Sequence, residues 1–196
     1  MNDEIRRLVQ QLADLEEELR DRLHEQETRI LYTLEGKKVE FERSVQDAHE
    51  RLRARLLPWL TNSSWRSYAS APVIYSLIIP FALLDLFVST YQAICFPLYR
   101  IPKVKRSRYI VIDRHHLRYL NSVQRFNCVY CGYVNGLVAF VREVAARTEQ
   151  YWCPIKHARR VTGSHNRYAR FLDYGDGEDL EVRLNELREQ LRGKAA

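Results

Sequence analysis

VIYSLIIPFALLDLFVSTYQAICF, residues 73–96, is a run of twenty-four residues with one charge, Asp85, in a chain whose mean hydropathy is -0.42. About twenty apolar residues suffice to cross a bilayer core, so the run is long enough for one span and too short for two. Trp65, Tyr68, Tyr75, Tyr91 and Tyr99 stand near its ends, where interfacial aromatics belong. Two residues disturb a simple span. Asp85 is central, where a carboxylate costs roughly 2.5–3.5 kcal/mol on an insertion scale. Pro80 opens the backbone ladder where lipid offers no replacement partner. Either neighbouring protein satisfies these groups or the segment kinks and re-enters. The bland alternative is a buried core helix of a soluble protein, but the run is long, its polar residues define no solvent face and basic clusters flank it. Asp85 is expected to be a polar residue satisfied by partners inside a helix assembly. An ion or proton position there has no second acid nearby to support it.

The flanks bear on orientation. Arg100, Lys103, Lys105, Arg106, Arg108 and Arg114 outnumber Arg53, Arg55 and Arg66 on the other side, which places the C-terminal side in the cytoplasm. A membrane is the expected location, with residues 58–100 as the membrane-associated segment and lipid as a partner. A long charged amino-terminal segment is awkward to translocate, so a re-entrant or monotopic arrangement with both ends cytoplasmic stands beside the single span.

Upstream, residues 1–57 lack proline, contain one glycine (Gly36) and are rich in Glu, Arg, Leu and Gln. Leu8, Leu19, Ile30, Phe41 and Leu52 recur every eleven residues, as do Leu12, Leu23, Leu34, Val45 and Leu56. An eleven-residue repeat keeps a stripe on one face of a nearly straight helix. This predicts one long amphipathic, coiled-coil-like helix, ended by Pro58, that pairs through residues 8–56 with a helical partner or a second copy. The alternatives are a helical hairpin broken near Gly36 and a β-hairpin of ILYTLE (residues 30–35) with KVEFE (residues 38–42).

Downstream, FNCVYCGYVNG (residues 126–136) and YWCPIKH (residues 151–157) carry three of the four cysteines. The highly charged first thirty residues contain no signal-peptide core, so the thiols are expected in a reducing cytoplasm, where close Cys and His spacings favour metal over disulfide. Cys-x-x-Cys-Gly suits a zinc knuckle, and Cys153 capping a helix from Pro154 would bring His157 toward the same ion. Cys128, Cys131, Cys153 and His157 therefore form the expected tetrahedral site, with zinc the first choice of cofactor and iron the second. A redox CxxC and plain packing of thiols are the competing readings. His165 and Glu149 are candidates for an additional ligand or a supporting hydrogen bond, while His115 and His116 point apart on an expected helix from Asp113 to about Val123, after a short strand at Tyr109–Ile112. Leu137, Phe140, Val141, Val144 and Thr148 fall at helical spacing between the two ligand pairs. The fold expected is mainly α, with a metal-stapled module over 101–172 and a C-terminal helix within 173–196 marked by Leu180, Leu184, Leu187 and Leu191.

The strings APVIYSLIIPFALLDLFVSTYQAICFPLYRIPKV and NCVYCGYVNGLVAFVREVAARTEQYWCPIKHARR resemble a family of bacterial membrane-associated proteins with no assigned activity, over residues 71–160. The resemblance implies a bacterial source and the integrity of these two blocks.

No phosphate-cradling glycine loop, nucleophile with a positioned base or isolated acid pair is present, so whether the chain is an enzyme stays open. The first expectation is a membrane-associated zinc protein acting as a scaffold or interaction module. The second is a metalloenzyme near the membrane using His165, Glu149 or His116. A zinc-ribbon nucleic-acid binder using Arg159, Arg160, Arg167 and Arg170 is less favoured, because the net charge of +6 is densest beside the apolar run, where anionic lipid explains it.

Overall fold

The computed structural model describes residues 56–193 continuously and, before them, residues 4, 7–8, 11–12, 14–15, 18–19, 21–23, 32–35, 38–41, 49 and 52. It is mainly helical. Strands β1 (Tyr32–Glu35) and β2 (Lys38–Phe41) precede helices α1 (Leu56–Thr61), α2 (Trp65–Ser76), α3 (Ile78–Leu98), α4 (Ser122–Trp152) and α5 (Leu180–Leu191). Two units are distinguished: Met1–Ser67 with Ile112–Cys131, and Tyr68–Val111 with Gly132–Ala196.

In the first unit, the continuous helix expected over residues 1–57 gives way to the hairpin alternative. β1 and β2 pair antiparallel, with Tyr32 opposite Phe41 and Leu34 opposite Val39. Leu34 and Phe41, which fit the eleven-residue repeat, also alternate at period two with Tyr32 and Val39, and aromatic and β-branched residues favour strands. Gly36 in a helix interior would cost about 1 kcal/mol, which tips the balance. The described residues between 4 and 23 are helical, and Leu8, Leu12, Leu15, Leu19 and Leu23 are all more than half exposed. Ile30 and Val45 lie outside the described residues. Pro58 does not end a helix; it is the third residue of α1, within the first turn, where a missing N–H costs nothing.

Residues 112–131 also depart from expectation. A 3-10 turn at Arg114–His116 replaces the helix expected after Asp113, and no strand forms over 109–112. α4 instead begins at a capping box: Asn121 Oδ1 accepts the Gln124 N–H at 2.9 Å, and Gln124 Oε1 accepts the Asn121 N–H at 3.0 Å.

In the second unit, α2 and α3 are separated at Leu77, four residues into the apolar run. Pro80 explains the position, since its ring clashes with the carbonyl four residues back, at Ser76, and it has no N–H to offer that oxygen. The helical run is thus interrupted where Pro80 removes a backbone hydrogen bond. α3 closes with a Schellman arrangement in which the Ile101 N–H reaches the Phe96 carbonyl at 2.8 Å and the Arg100 N–H reaches the Pro97 carbonyl at 3.2 Å. Arg100 takes the left-handed conformation this requires, φ 55°. The chain then doubles back along α3. The Gln92 side chain accepts the Val104 N–H at 2.7 Å and donates to the Val104 carbonyl at 3.3 Å, satisfying both backbone groups.

Contacts between α3 and α4 advance in the same direction, from Asp85 with Tyr133 to Tyr99 with Tyr151, so the helices run parallel. Between them lies the core of Phe96, Ile101, Val104, Leu137, Phe140, Val144 and Leu191. Gly136 admits the returning chain: a Cβ there would meet the Tyr109 carbonyl oxygen at 2.5 Å and Ile110 Cα at 2.8 Å. The C-terminal helix begins later than 173 and is part of this unit. Leu184 and Leu187 pack with Leu172, and Leu191 joins the main core.

Candidate functional site

Asp85 is the centre of the most completely built polar cluster on the apolar helix. Its Oδ1 accepts hydrogen bonds from Ser89 Oγ and Arg106 Nε, both at 3.1 Å. Its Oδ2 accepts from Arg106 Nη2 at 2.6 Å and from the Tyr133 hydroxyl at 3.0 Å. Ser89 comes from one turn further along α3, Tyr133 from α4, and Arg106 from the 3-10 turn Arg106–Arg108 at the end of the returning segment. Both carboxylate oxygens are occupied and the charge is matched by a guanidinium fork. The cluster is a neutralised knot, with no free lone pair aimed at a substrate. Burial and the adjacent Asp85 carboxylate push the Tyr133 phenol above its ordinary value, so it stays a donor.

The expectation that Asp85 is satisfied by protein is therefore met from within the chain. Sequence reasoning assigned Arg106 only to the basic flank and passed over Tyr133 and Gln92. The available signal was the turn at YRIP, which allows the flank to fold back onto the helix it follows.

The expected zinc knuckle at Cys128 and Cys131 finds no support in the structure. α4 runs unbroken through Cys128, Cys131 and Gly132, so Cys-x-x-Cys-Gly forms one helical turn and no knuckle. Along that helix the twenty-two residues from Cys131 to Cys153 amount to about 33 Å of rise, far beyond any tetrahedral site. The capping box and the strong helical run from Leu137 onward outweigh the cost of glycine at 132. Pro154 terminates α4 instead of starting a helix, because a residue before proline is driven from the α region. Cys153 follows the helix end, and residues 154–156 make a parallel bridge to Leu172, with Lys156 N–H to the Leu172 carbonyl at 2.8 Å. His157 is exposed and its ring stacks on Tyr168. Cys128 is half-buried, Cys131 and Cys153 are exposed, and Cys95 is half-buried on α3. Among the described residues no three His, Cys, Asp or Glu side chains converge on a metal-sized site.

His165 and Glu149 do meet, at 2.9 Å between Nε2 and Oε2. Nδ1 of His165 accepts the Arg167 N–H at 3.2 Å, so the neutral ring carries its proton on Nε2 and donates it to Glu149. Neither nitrogen is left for a metal. Around this pair, Glu143 accepts from Arg147 Nε at 2.8 Å and Arg167 Nη2 at 2.9 Å. Arg167 also donates to Gln150 Oε1, and Gln150 donates to the Leu187 carbonyl at 3.0 Å. Burial alone would raise the Glu143 carboxyl, but the hydrogen bonds from Arg147 and Arg167 outweigh it and hold the group below the usual carboxylate range. These contacts clamp residues 163–167 and α5 onto α4. They commit Arg167, one of the four arginines a nucleic-acid surface would need. His115 and His116 do not point apart as expected: in their 3-10 turn the ring centres are 3.9 Å apart, with the planes tilted by 39°.

No family model, curated protein or solved structure matches the chain. The resemblance over residues 71–160 gains no support from these comparisons.

Proposed function

We propose that the chain is a bacterial membrane-associated scaffold or interaction protein, held to the inner membrane by its apolar segment and presenting its C-terminal helical module to the cytoplasm. The observation that carries this reading is the exposure of that segment. Trp65–Leu98 is long and apolar enough to cross a membrane; its most apolar 18-residue window has a mean hydropathy of 2.1, and none of that window is buried. A core helix of a soluble protein would hide that surface; an exposed apolar patch of this extent needs lipid or protein over it. The leucine series at Leu8, Leu12, Leu15, Leu19 and Leu23, exposed in this chain, is the second surface in need of a partner, and a helical partner or another copy suits its spacing. Zinc plays no part in the proposal, because α4 keeps the two halves of the expected ligand set apart.

The test is fractionation of cells expressing the full chain. The protein is expected to pellet with the inner membrane and to resist extraction by high salt and by carbonate at high pH. Recovery in the soluble fraction at physiological salt overturns the reading.

A further inference from the structure

We infer that α3 lies in the plane of an anionic bilayer as a monotopic anchor, with the chain entering and leaving on the same face of the membrane. The inference rests on the membrane-association reading and adds its geometry. At about 100° per residue, Asp85, Ser89, Gln92 and Phe96 occupy one narrow stripe of α3. Asp85 and Gln92 hold the returning segment by side chain, Ser89 hydrogen-bonds Asp85 within the stripe, and Phe96 holds the segment through its carbonyl. Ile79, Leu83, Leu86, Phe87, Ile94 and Leu98, each at least half exposed, fill an arc about 120° wide centred about 150° away from that stripe. One side of α3 is thus apolar and open, and the opposite side is covered by chain carrying Lys103, Lys105, Arg106 and Arg108, all exposed.

That arrangement decides between crossing the membrane and lying on it. The returning segment follows α3 backwards, Ile101 at Phe96, Val104 at Gln92 and Arg106 at Asp85. Were residues 73–96 to span, Arg106 would sit at mid-bilayer with Lys103 and Lys105 between it and the interface, and those two lysines have no carboxylate partner among the described residues. Laid flat, the helix sinks its open face below the headgroups, and the basic segment on its opposite side stays at headgroup depth, where anionic lipid complements it. The parallel packing of α4 on α3 is compatible with a helix lying in the interface.

Depth measurement tests this on the full chain bound to vesicles of mixed phosphatidylglycerol and phosphatidylcholine. Nitroxide labels at Leu83→Cys, Phe87→Cys and Ile94→Cys, in a background with the native cysteines replaced, should report one common depth, about 5–10 Å below the headgroups. A span would separate the first and last labels by about 16 Å in depth. If the cysteine-free background does not fold, protease protection of terminal tags on the native chain reads the same question: both tags are cleaved from one side under our inference and from opposite sides for a span. Lys103→Gln, Lys105→Gln and Arg108→Gln together should weaken partitioning into the anionic vesicles about 100-fold and leave partitioning into neutral ones nearly unchanged. A graded depth profile, tags on opposite sides, or equal loss on both vesicle types overturns the in-plane anchor while leaving membrane association standing. No vesicle binding, with the chain running as a dimer that hides Phe87, overturns both.

Discussion

Gly132 and Gly136 lie one turn apart on α4, and alanine at each should move stability in opposite directions. Intrinsic propensity favours alanine over glycine in a helix interior by about 1 kcal/mol at both. At Gly132 the new methyl would meet only the Val111 carbonyl oxygen, at 3.4 Å, an ordinary contact. At Gly136 it would meet the Tyr109 carbonyl oxygen at 2.5 Å and Ile110 Cα at 2.8 Å, backbone atoms that cannot swing aside as a side chain would. Overpacking of this kind typically costs about 1–3 kcal/mol, and displacing residues 109–110 would disturb Tyr109 and Ile110, which pack on the main core. The clash exceeds the propensity gain. Gly132→Ala should therefore stabilise by about 0.5–1 kcal/mol and Gly136→Ala destabilise by about 1–2 kcal/mol. For a chain of this size that corresponds to roughly 2–4 °C per kcal/mol in thermal midpoint. Circular dichroism melts of both variants beside the native chain, in the same detergent, read the sign directly. If Gly136→Ala melts at or above the native midpoint, the returning segment does not cross α4 where described, and the placement of Arg106 against Asp85 falls with it.

In a double-mutant cycle, Asp85→Asn and Arg106→Gln should show a coupling of about 1–2 kcal/mol, reduced from a fully buried pair because Arg106 is about half exposed; additive effects would contradict a direct fork. Arg100→Gly should raise the melting midpoint by the equivalent of about 1 kcal/mol, since glycine adopts the left-handed cap without the Cβ penalty; a lowered midpoint would reject the Schellman turn. Glu143 has a depressed carboxyl, so its contribution is fully present above the ordinary value of 4.5 and is lost as pH falls through the lower folded value. Acid titration of Glu143→Gln should show a shallower loss of stability below about pH 4.5 than the native chain, and identical slopes would remove the clamp from the account. Because one helix separates Cys131 from Cys153, chelator treatment should leave the melting midpoint unchanged; one zinc per chain whose removal unfolds the protein would require α4 to break at its glycines.

Local pattern was legible wherever it had one consequence. The apolar run, the helix break just before Pro80, the α4 face at Leu137, Phe140 and Val144, and the leucine spacing of α5 all followed from hydrophobic periodicity and from the missing N–H of proline, which act within a few residues of sequence. The NSVQ capping box, overlooked in favour of a helix from Asp113 to about Val123, marks where α4 starts. Residues 30–41 were not decided locally, because Leu34 and Phe41 fit the eleven-residue repeat and also, with Tyr32 and Val39, the period-two alternation of two strands. Cys-x-x-Cys-Gly was ambiguous for a similar reason: two cysteines three apart fit one turn of helix as well as a knuckle, and the outcome depends on how firmly the flanking residues hold the helix. The fate of Asp85 lay furthest from local reading. Its partners Arg106 and Tyr133 are 21 and 48 residues away, and they arrive only because a left-handed turn at Arg100 reverses the chain and Gly136 lets it pass close over α4.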